Sequence, residues 1–108
     1  KYLDFEAKET KKQNFPFTNI SVHQIEHLKS VIEHQGIAFV IIAFTHLNEV
    51  YLVNASYVID AYYQPDQKSI SYQTVKEKGH LIEQGFNPRL DYLKIIDQYY
   101  LGGHENDR

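Results

Sequence analysis

The sequence contains no cysteine, no methionine and no tryptophan. Without cysteine there can be no disulfide framework, no thiolate nucleophile and no cysteine-ligated zinc. Long apolar runs are missing as well. The longest, from Ile37 to Phe44, falls far short of the ~20 residues a helix needs to cross a bilayer. No basic-then-apolar leader opens the printed sequence, so no membrane partner and a cytoplasmic location are expected. A surplus of positive charge is also absent. Lys and Arg number 11 against 14 Asp and Glu, a net charge of −3, which is not the footprint of a strong nucleic-acid binder. Nor is there an initiator methionine. The chain opens on Lys1-Tyr2-Leu3, already strand-like, and is expected to start inside a domain.

What remains is enough for one compact domain: 108 residues, 43% hydrophobic and 23% charged, with nine Tyr and six Phe. With only five Gly and three Pro, the breakers mark element ends clearly. Residues 2–8 alternate, with Leu3, Phe5 and Ala7 on one side and Asp4, Glu6 and Lys8 on the other, which predicts a strand with one charged face. Residues 9–19 read as a loop that Phe15 and Phe17 pin to the core. Ser21 and Gln24 form a capping-box pattern, and Val22, Ile25, Leu28, Val31 and Ile32 follow at helical spacing. Gly36 suits the left-handed position that closes a helix.

Ile37 to Phe44 is then a strand apolar on both faces, and Asn48-Glu49 turns it into a second strand over 50–53. Asn54 or Ser56 can cap a helix ending before Pro65. After a polar connection, Ser71 can cap another, up to Gly79. Residues 80–89 resist assignment. A last helix is expected from Asp91 to the Gly102-Gly103 pair, followed by a disordered tail over 103–108. The expected class is α/β, a mixed β-sheet flanked by helices, with residues 1–102 forming part of a single domain.

Asp4, Glu6 and Lys8 form the most chemically suggestive group. Residues two apart on a strand stand ~6–7 Å apart on one face. Phosphodiester hydrolysis requires a divalent cation on oxygen ligands, an activated water, and positive charge where negative charge develops. A Glu and a Lys two apart can bring a ligand and a cation to one phosphate. The same pattern also describes a solvated strand face with an ion pair, and spacing alone does not separate the two.

The longer string does. Tyr2-Leu3-Asp4-Phe5-Glu6-Ala7-Lys8-Glu9-Thr10 resembles the catalytic strand of the RecU Holliday junction resolvases. The similarity continues through Phe15-Pro16, His23-Gln24-Ile25-Glu26-His27, Phe39-Val40-Ile41-Ile42 and Gly85-Phe86-Asn87-Pro88-Arg89-Leu90-Asp91-Tyr92. The resemblance implies a restriction-endonuclease-like nuclease fold of the Asp…Glu-x-Lys superfamily. It also implies a homodimer that cuts four-way branched DNA in recombination and repair with Mg²⁺, or Mn²⁺ in its place. By position, Glu6 matches a metal ligand, Lys8 the transition-state stabiliser, and Gln24 a further metal-site residue, direct or through water. The family's remaining metal-site residues, an Asp with a Thr close before it, precede the catalytic strand and do not occur in this sequence. The nuclease fold is thus expected to be incomplete without an upstream segment, and this fragment alone inactive. Asp4 is kept as a group behind the ligands.

Lys11, Lys12 and Arg89 are the candidate DNA contacts, with Lys29 and Lys68 weaker ones, and a recombinase is a possible protein partner. Tyr57, Tyr62, Tyr63, Tyr99 and Tyr100 sit at helical spacings that suit core or dimer packing better than base stacking. Two other readings compete. One is a non-catalytic DNA- or protein-binding module that keeps the nuclease fold, favoured by the acidic net charge. The other is a zinc peptidase built on His23-x-x-Glu26-His27, with Glu77 or Glu83 as third ligand. Against it, His23 and His27 are expected to face solvent or phosphate while Val22, Ile25 and Leu28 face the core.

Overall fold

Alternating charge and apolarity does produce the first strand, and the computed structural model, which describes residues 2–82, extends it by two residues. Strand β1 (Leu3–Thr10) is followed by β2 (Asn14–Pro16), a 3-10 turn (Phe17–Asn19) and helix α1 (Val22–Glu33). Then come β3 (Ile37–Phe44), β4 (Glu49–Asn54), α2 (Ala55–Tyr62), β5 (Ser69–Ser71), α3 (Tyr72–Lys78) and β6 (His80–Ile82). Four strands form one sheet in the order β1-β3-β4-β6, and β2 pairs with β5 in a second, two-stranded sheet. β1 runs parallel to β3, while β3–β4 and β4–β6 are antiparallel, so the larger sheet is mixed. Parallel neighbours need a crossover, and α1 supplies it. The expected last helix, the tail over 103–108, Glu83, Arg89, Tyr99 and Tyr100 lie outside the described residues.

The two faces of the sheet are packed differently. Ala38, Val40, Ile42 and Phe44 of β3 point to the face covered by Ile25, Leu28 and Val31 of α1, Val58 of α2 and Val75 of α3. The opposite face carries a second cluster of Phe39, Ile41, Leu52 and Ile82, against which Leu3 and Phe5 of β1 pack. Phe5 and Phe39 stack with rings 5.3 Å apart and 1° from parallel. A side chain's face is set by residue parity, and Asp4, Glu6 and Lys8 pair in register with Ala38, Val40 and Ile42. The charged row of β1 therefore lies on the same face as α1.

Each helix begins where a side chain can cap it. Ser21 and Gln24 close a reciprocal capping box at α1, Asn54 accepts from the Ser56 N–H at α2, and Ser71 from the Thr74 N–H at α3. Four local expectations need correction. First, the left-handed residue that ends α1 is Gln35 (φ 69°), not Gly36. The Gln35 and Gly36 N–H groups bond back to Ile32 and Val31 carbonyls, the paired closure of a Schellman turn. Gly36 is needed for close approach instead: a Cβ there would lie 2.7 Å from Val31 Cγ1 and 3.0 Å from the Tyr2 carbonyl oxygen. Second, Val22 does not join the core. It is 42% exposed, and the buried face of the helix is carried by Ile25, Leu28 and Val31.

Third, residues 9–19 are not a loop throughout. Glu9 and Thr10 continue β1 against Ala43 and Phe44, and residues 14–16 pair with β5. Phe15, fully buried opposite Ile70, does pin the segment, and Phe17 packs on the core beside Tyr62. Fourth, the polar connection before Ser71 contains a strand, β5. Three-residue strands lack the length for an alternation signal; they exist because each finds a partner far along the chain.

Candidate active site

Helix α1 crosses the charged row of β1 and meets it at two rungs. Gln24 Nε2 donates to Glu6 Oε1 at 3.0 Å, and three residues on, His27 Nε2 pairs with Asp4 Oδ2. Residues three apart on a helix share a face and residues two apart on a strand share a face, so both rungs follow from one docking of the helix. The cap sets the first rung. The Gln24 carboxamide oxygen accepts from the Ser21 N–H at 3.0 Å, while Ser21 Oγ accepts from the Gln24 N–H at 3.1 Å. With its oxygen held by the cap, Gln24 turns its NH₂ toward Glu6. The pattern that starts the helix also orients the residue that faces the carboxylate.

The two carboxylates of the row differ in their commitments. Asp4 Oδ1 accepts from the Phe5 N–H at 2.8 Å, and Oδ2 is shared by His27 and the Tyr2 hydroxyl. The hydrogen bond to His27 is the chief cause that holds the Asp4 carboxyl below its ordinary range; partial burial opposes it, and the Phe5 N–H adds to it. Glu6 uses one oxygen. Its Oε2 has no hydrogen bond to a described residue, and the group is half-buried. Lys8 lies next along the row, half-buried, with neither an ion pair nor a hydrogen bond to any described residue. A carboxylate oxygen and an ammonium on one strand, neither engaged by a described residue, are what phosphoester chemistry would use.

The donor set is hard. Carboxylate and carboxamide groups suit Mg²⁺ or Mn²⁺ rather than a soft metal. No group of three or more His, Cys, Asp and Glu able to hold a metal occurs among the described residues. The site thus offers one carboxylate with a free oxygen. That still fits Mg²⁺, which commonly keeps several waters and takes one or two carboxylates plus substrate phosphate oxygens. Gln24 Oε1 is engaged in the cap, so the group that faces Glu6 is a donor.

Among the described residues the peptidase constellation is not assembled. The ring of His27 is engaged by Asp4 rather than left to a metal, and the Glu77 carboxylate, on α3, accepts from Gln73 at 3.1 Å. Contrary to expectation, His27 is thus tied to β1 and not simply turned to solvent.

Lys11 and Lys12 sit just past the end of β1, exposed, on the wall of a cavity of about 350 Å³ that Thr18 and Asn19 also line. Sequence reasoning missed the last two, which look like ordinary loop residues until the 3-10 turn folds them against the strand. Lys29 lies over the Tyr63 ring, 5.6 Å from its centre. Lys68 lines a second cavity with Phe17 and Tyr62. Tyr57 and Tyr62 pack partly buried on the core, as expected, whereas Tyr63 is 50% exposed.

Comparison with known proteins points the same way. The family described as Recombination protein U matches residues 1–98. A protein of Bacillus cytotoxicus named Holliday junction resolvase RecU is 54% identical over 104 residues, covering 93% of this chain and 52% of that protein. Proteins of the same name from Bacillus mycoides and Bacillus cereus strain B4264 are 48% and 47% identical, each over 93% of this chain and 52% of their own length. The chain spans about half the length of the curated relatives it matches.

Proposed function

The chain belongs to the Recombination protein U family, and on that premise we propose that it carries part of the active site of an endonuclease that resolves Holliday junctions in DNA recombination and repair. The observation that bears most weight is the rung between Gln24 and Glu6, with the free Glu6 oxygen and Lys8 beside it. Glu6 Oε2 would hold a divalent cation, Mg²⁺ or alternatively Mn²⁺, with further oxygen ligands from residues outside this sequence, and Gln24, which presents its NH₂ to Glu6, would serve the metal site by orienting that carboxylate. When bound, the cation supplies Lewis-acid charge and an acidified water as nucleophile.

The chain's own residues do the rest. Gln24, held by the Ser21 cap, fixes Glu6 by binding its Oε1 and leaves Oε2 for the cation. Lys8 faces the scissile phosphate and stabilises the charge that builds on its oxygens as the attacking and leaving oxygens exchange places. Asp4 neither binds the cation nor moves a proton; with His27 it fastens α1 to β1. Lys11 and Lys12 contact backbone phosphates beyond the end of β1, and Arg89 is a further phosphate contact on its chemistry alone.

Junction choice then rests on DNA shape rather than base contacts. A four-way junction is cut on two strands, and a homodimer supplies one active site for each. A recombinase acting on the same DNA is the protein partner proposed, with both in the cytoplasm.

Incubation of the intact protein with a synthetic four-way junction, with and without Mg²⁺, tests the reading. Paired, symmetric cuts that require the metal are expected. Tight junction binding with no cleavage under any divalent cation would instead favour a non-catalytic binding module, the reading that the net charge of −3 favours.

A further inference from the structure

The turn after β1 is braced more firmly than an exposed basic loop requires. Thr10, buried at 4% exposure, accepts from the Lys12 N–H at 3.1 Å through its hydroxyl and donates to the Asn14 carbonyl at 3.0 Å. Its own carbonyl takes both the N–H and the hydroxyl of Thr45, at 3.0 and 3.2 Å. From the other side, Asn19 Nδ2 donates to the Glu9 carbonyl at 3.1 Å and ties the 3-10 turn to the strand. The result is a fixed cavity of about 350 Å³ with Lys11 and Lys12 on its wall and Thr18 and Asn19 beside them. Neither lysine makes an ion pair with a described residue. Glu9 is the one acid in the lining, so two cations outweigh it.

We propose that this cavity is a phosphate subsite that holds the DNA backbone a few nucleotides from the bond Glu6 and Lys8 act on. This rests on the nuclease reading and adds to it a place and a ligand. Lysines act on phosphate as point charges, and hydroxyl and carboxamide groups hydrogen-bond its oxygens. Four residues of strand separate Glu6 from Thr10, ~13 Å at the usual rise. A nucleotide chain advancing ~3.4 Å per step along a duplex covers that in a few steps. The ligand is a strand rather than an isolated anion, because a second cavity with a lysine on its wall adjoins the same turn. Thr18 also lines a neighbouring cavity of about 520 Å³, whose wall carries Lys68 with the Phe17 and Tyr62 rings. A backbone leaving the first cavity thus meets another lysine.

The test uses the intact protein and four-way junctions in which single phosphates near the cut are replaced by uncharged methylphosphonates. Binding is measured with Ca²⁺ in place of Mg²⁺, so that cleavage does not interfere. Wild-type protein is expected to lose affinity several-fold when one phosphate, a few nucleotides from the cut, is neutralised. Lys11→Ala/Lys12→Ala should bind the unmodified junction several-fold more weakly, be indifferent to that neutralisation, and show a salt slope smaller by about 1–2. Glu9→Gln should bind more tightly. Identical neutralisation profiles in wild type and the double variant, with unchanged salt slope, overturn the subsite while the nuclease reading stands. A wild-type protein that neither binds nor cuts junctions overturns both. Thermal unfolding of each variant at the wild-type midpoint excludes misfolding as the cause.

Discussion

Glu6 and Glu49 are both half-buried glutamates on strands of one sheet, yet their surroundings use them in opposite ways. Glu49 Oε1 accepts two phenol hydroxyls, from Tyr51 at 2.8 Å and Tyr72 at 2.5 Å, and so staples β4 to α3. The rings of Tyr51 and Tyr72 meet Phe44 and each other edge-on. The hydrogen bond from Tyr72 is the main cause that lowers the Glu49 carboxyl's pKa, with Tyr51 next. Burial first, and then the bonds to Tyr72 and Glu49, push the Tyr51 hydroxyl well above the usual phenol range. Among the described residues both acids are engaged through Oε1 alone, but Glu49 takes two phenols there, whereas Glu6 takes one carboxamide and stands two residues from Lys8 on the same strand face. An acid that ties together two aromatic hydroxyls from different elements is structural, and one held by a single carboxamide beside a lysine with no described partner is placed for a ligand.

That contrast can be broken most sharply at Lys8. Lys8→Ala is expected to slow junction cleavage by the intact protein about 10²–10³-fold, with junction affinity and thermal stability near wild type. An equal loss of cleavage in Tyr72→Phe would erase the distinction between the two regions. Gln24→Ala comes next. Loss of a partner that orients a ligand typically costs about 10–100-fold in metal affinity or activity, and a Mg²⁺ titration of the cleavage rate should show a raised half-saturation concentration. Because the variant also removes half of the capping box, its melt should be lower by a modest amount, and Gln24→Glu, which keeps the capping pattern but sets a second carboxylate against Glu6, should not restore the melt.

The Glu49 cluster should respond in the other currency. Tyr51→Phe removes a hydroxyl from a side chain only 2% exposed, which should cost about 1–2 kcal/mol in denaturant unfolding and leave kcat for cleavage unchanged. The smallest effect is the acid side of stability. Asp4 and Glu49 are both lowered from ordinary values of 3.8 and 4.5. Each therefore contributes stability that is complete above those values and is lost as pH falls below them through the folded-state pKa. Asp4→Asn and Glu49→Gln should each flatten the fall of the melting temperature from pH 5 toward pH 3, and neither should alter its course above pH 6.

Much of this was legible from residue order alone. Strand β3 runs over the predicted Ile37–Phe44, because a run apolar on both faces has few alternatives to a central strand. The Ser21–Gln24 box, the Asn54 cap and the Ser71 cap were each readable, since capping is a local matter of a side chain reaching an N–H two or three residues on. The strands β2, β5 and β6 were not. Their pairings, such as Phe15 with Ile70 and Tyr51 with Leu81, join distant positions and leave no periodicity in three residues. At the site, the charged face of β1 could be read, but which carboxylate stays free could not. That depends on where α1 docks, and the docking gives His27 to Asp4 and Gln24 to Glu6. The braced turn at Thr10 was hidden for the same reason, since its partner Thr45 lies 35 residues along the chain, just past the end of β3.

The central claim is that Glu6 acts through a carboxylate oxygen that no described residue engages. Its most direct test is single-turnover cleavage of a synthetic four-way junction in Mg²⁺ by the intact protein and its Glu6→Gln variant, at equal fractional saturation. Glutamine keeps the size and can still meet Gln24, but it removes the charge. The account predicts that the variant binds the junction as tightly as wild type and fails to cut it. Cleavage by the variant at the wild-type rate would contradict the account.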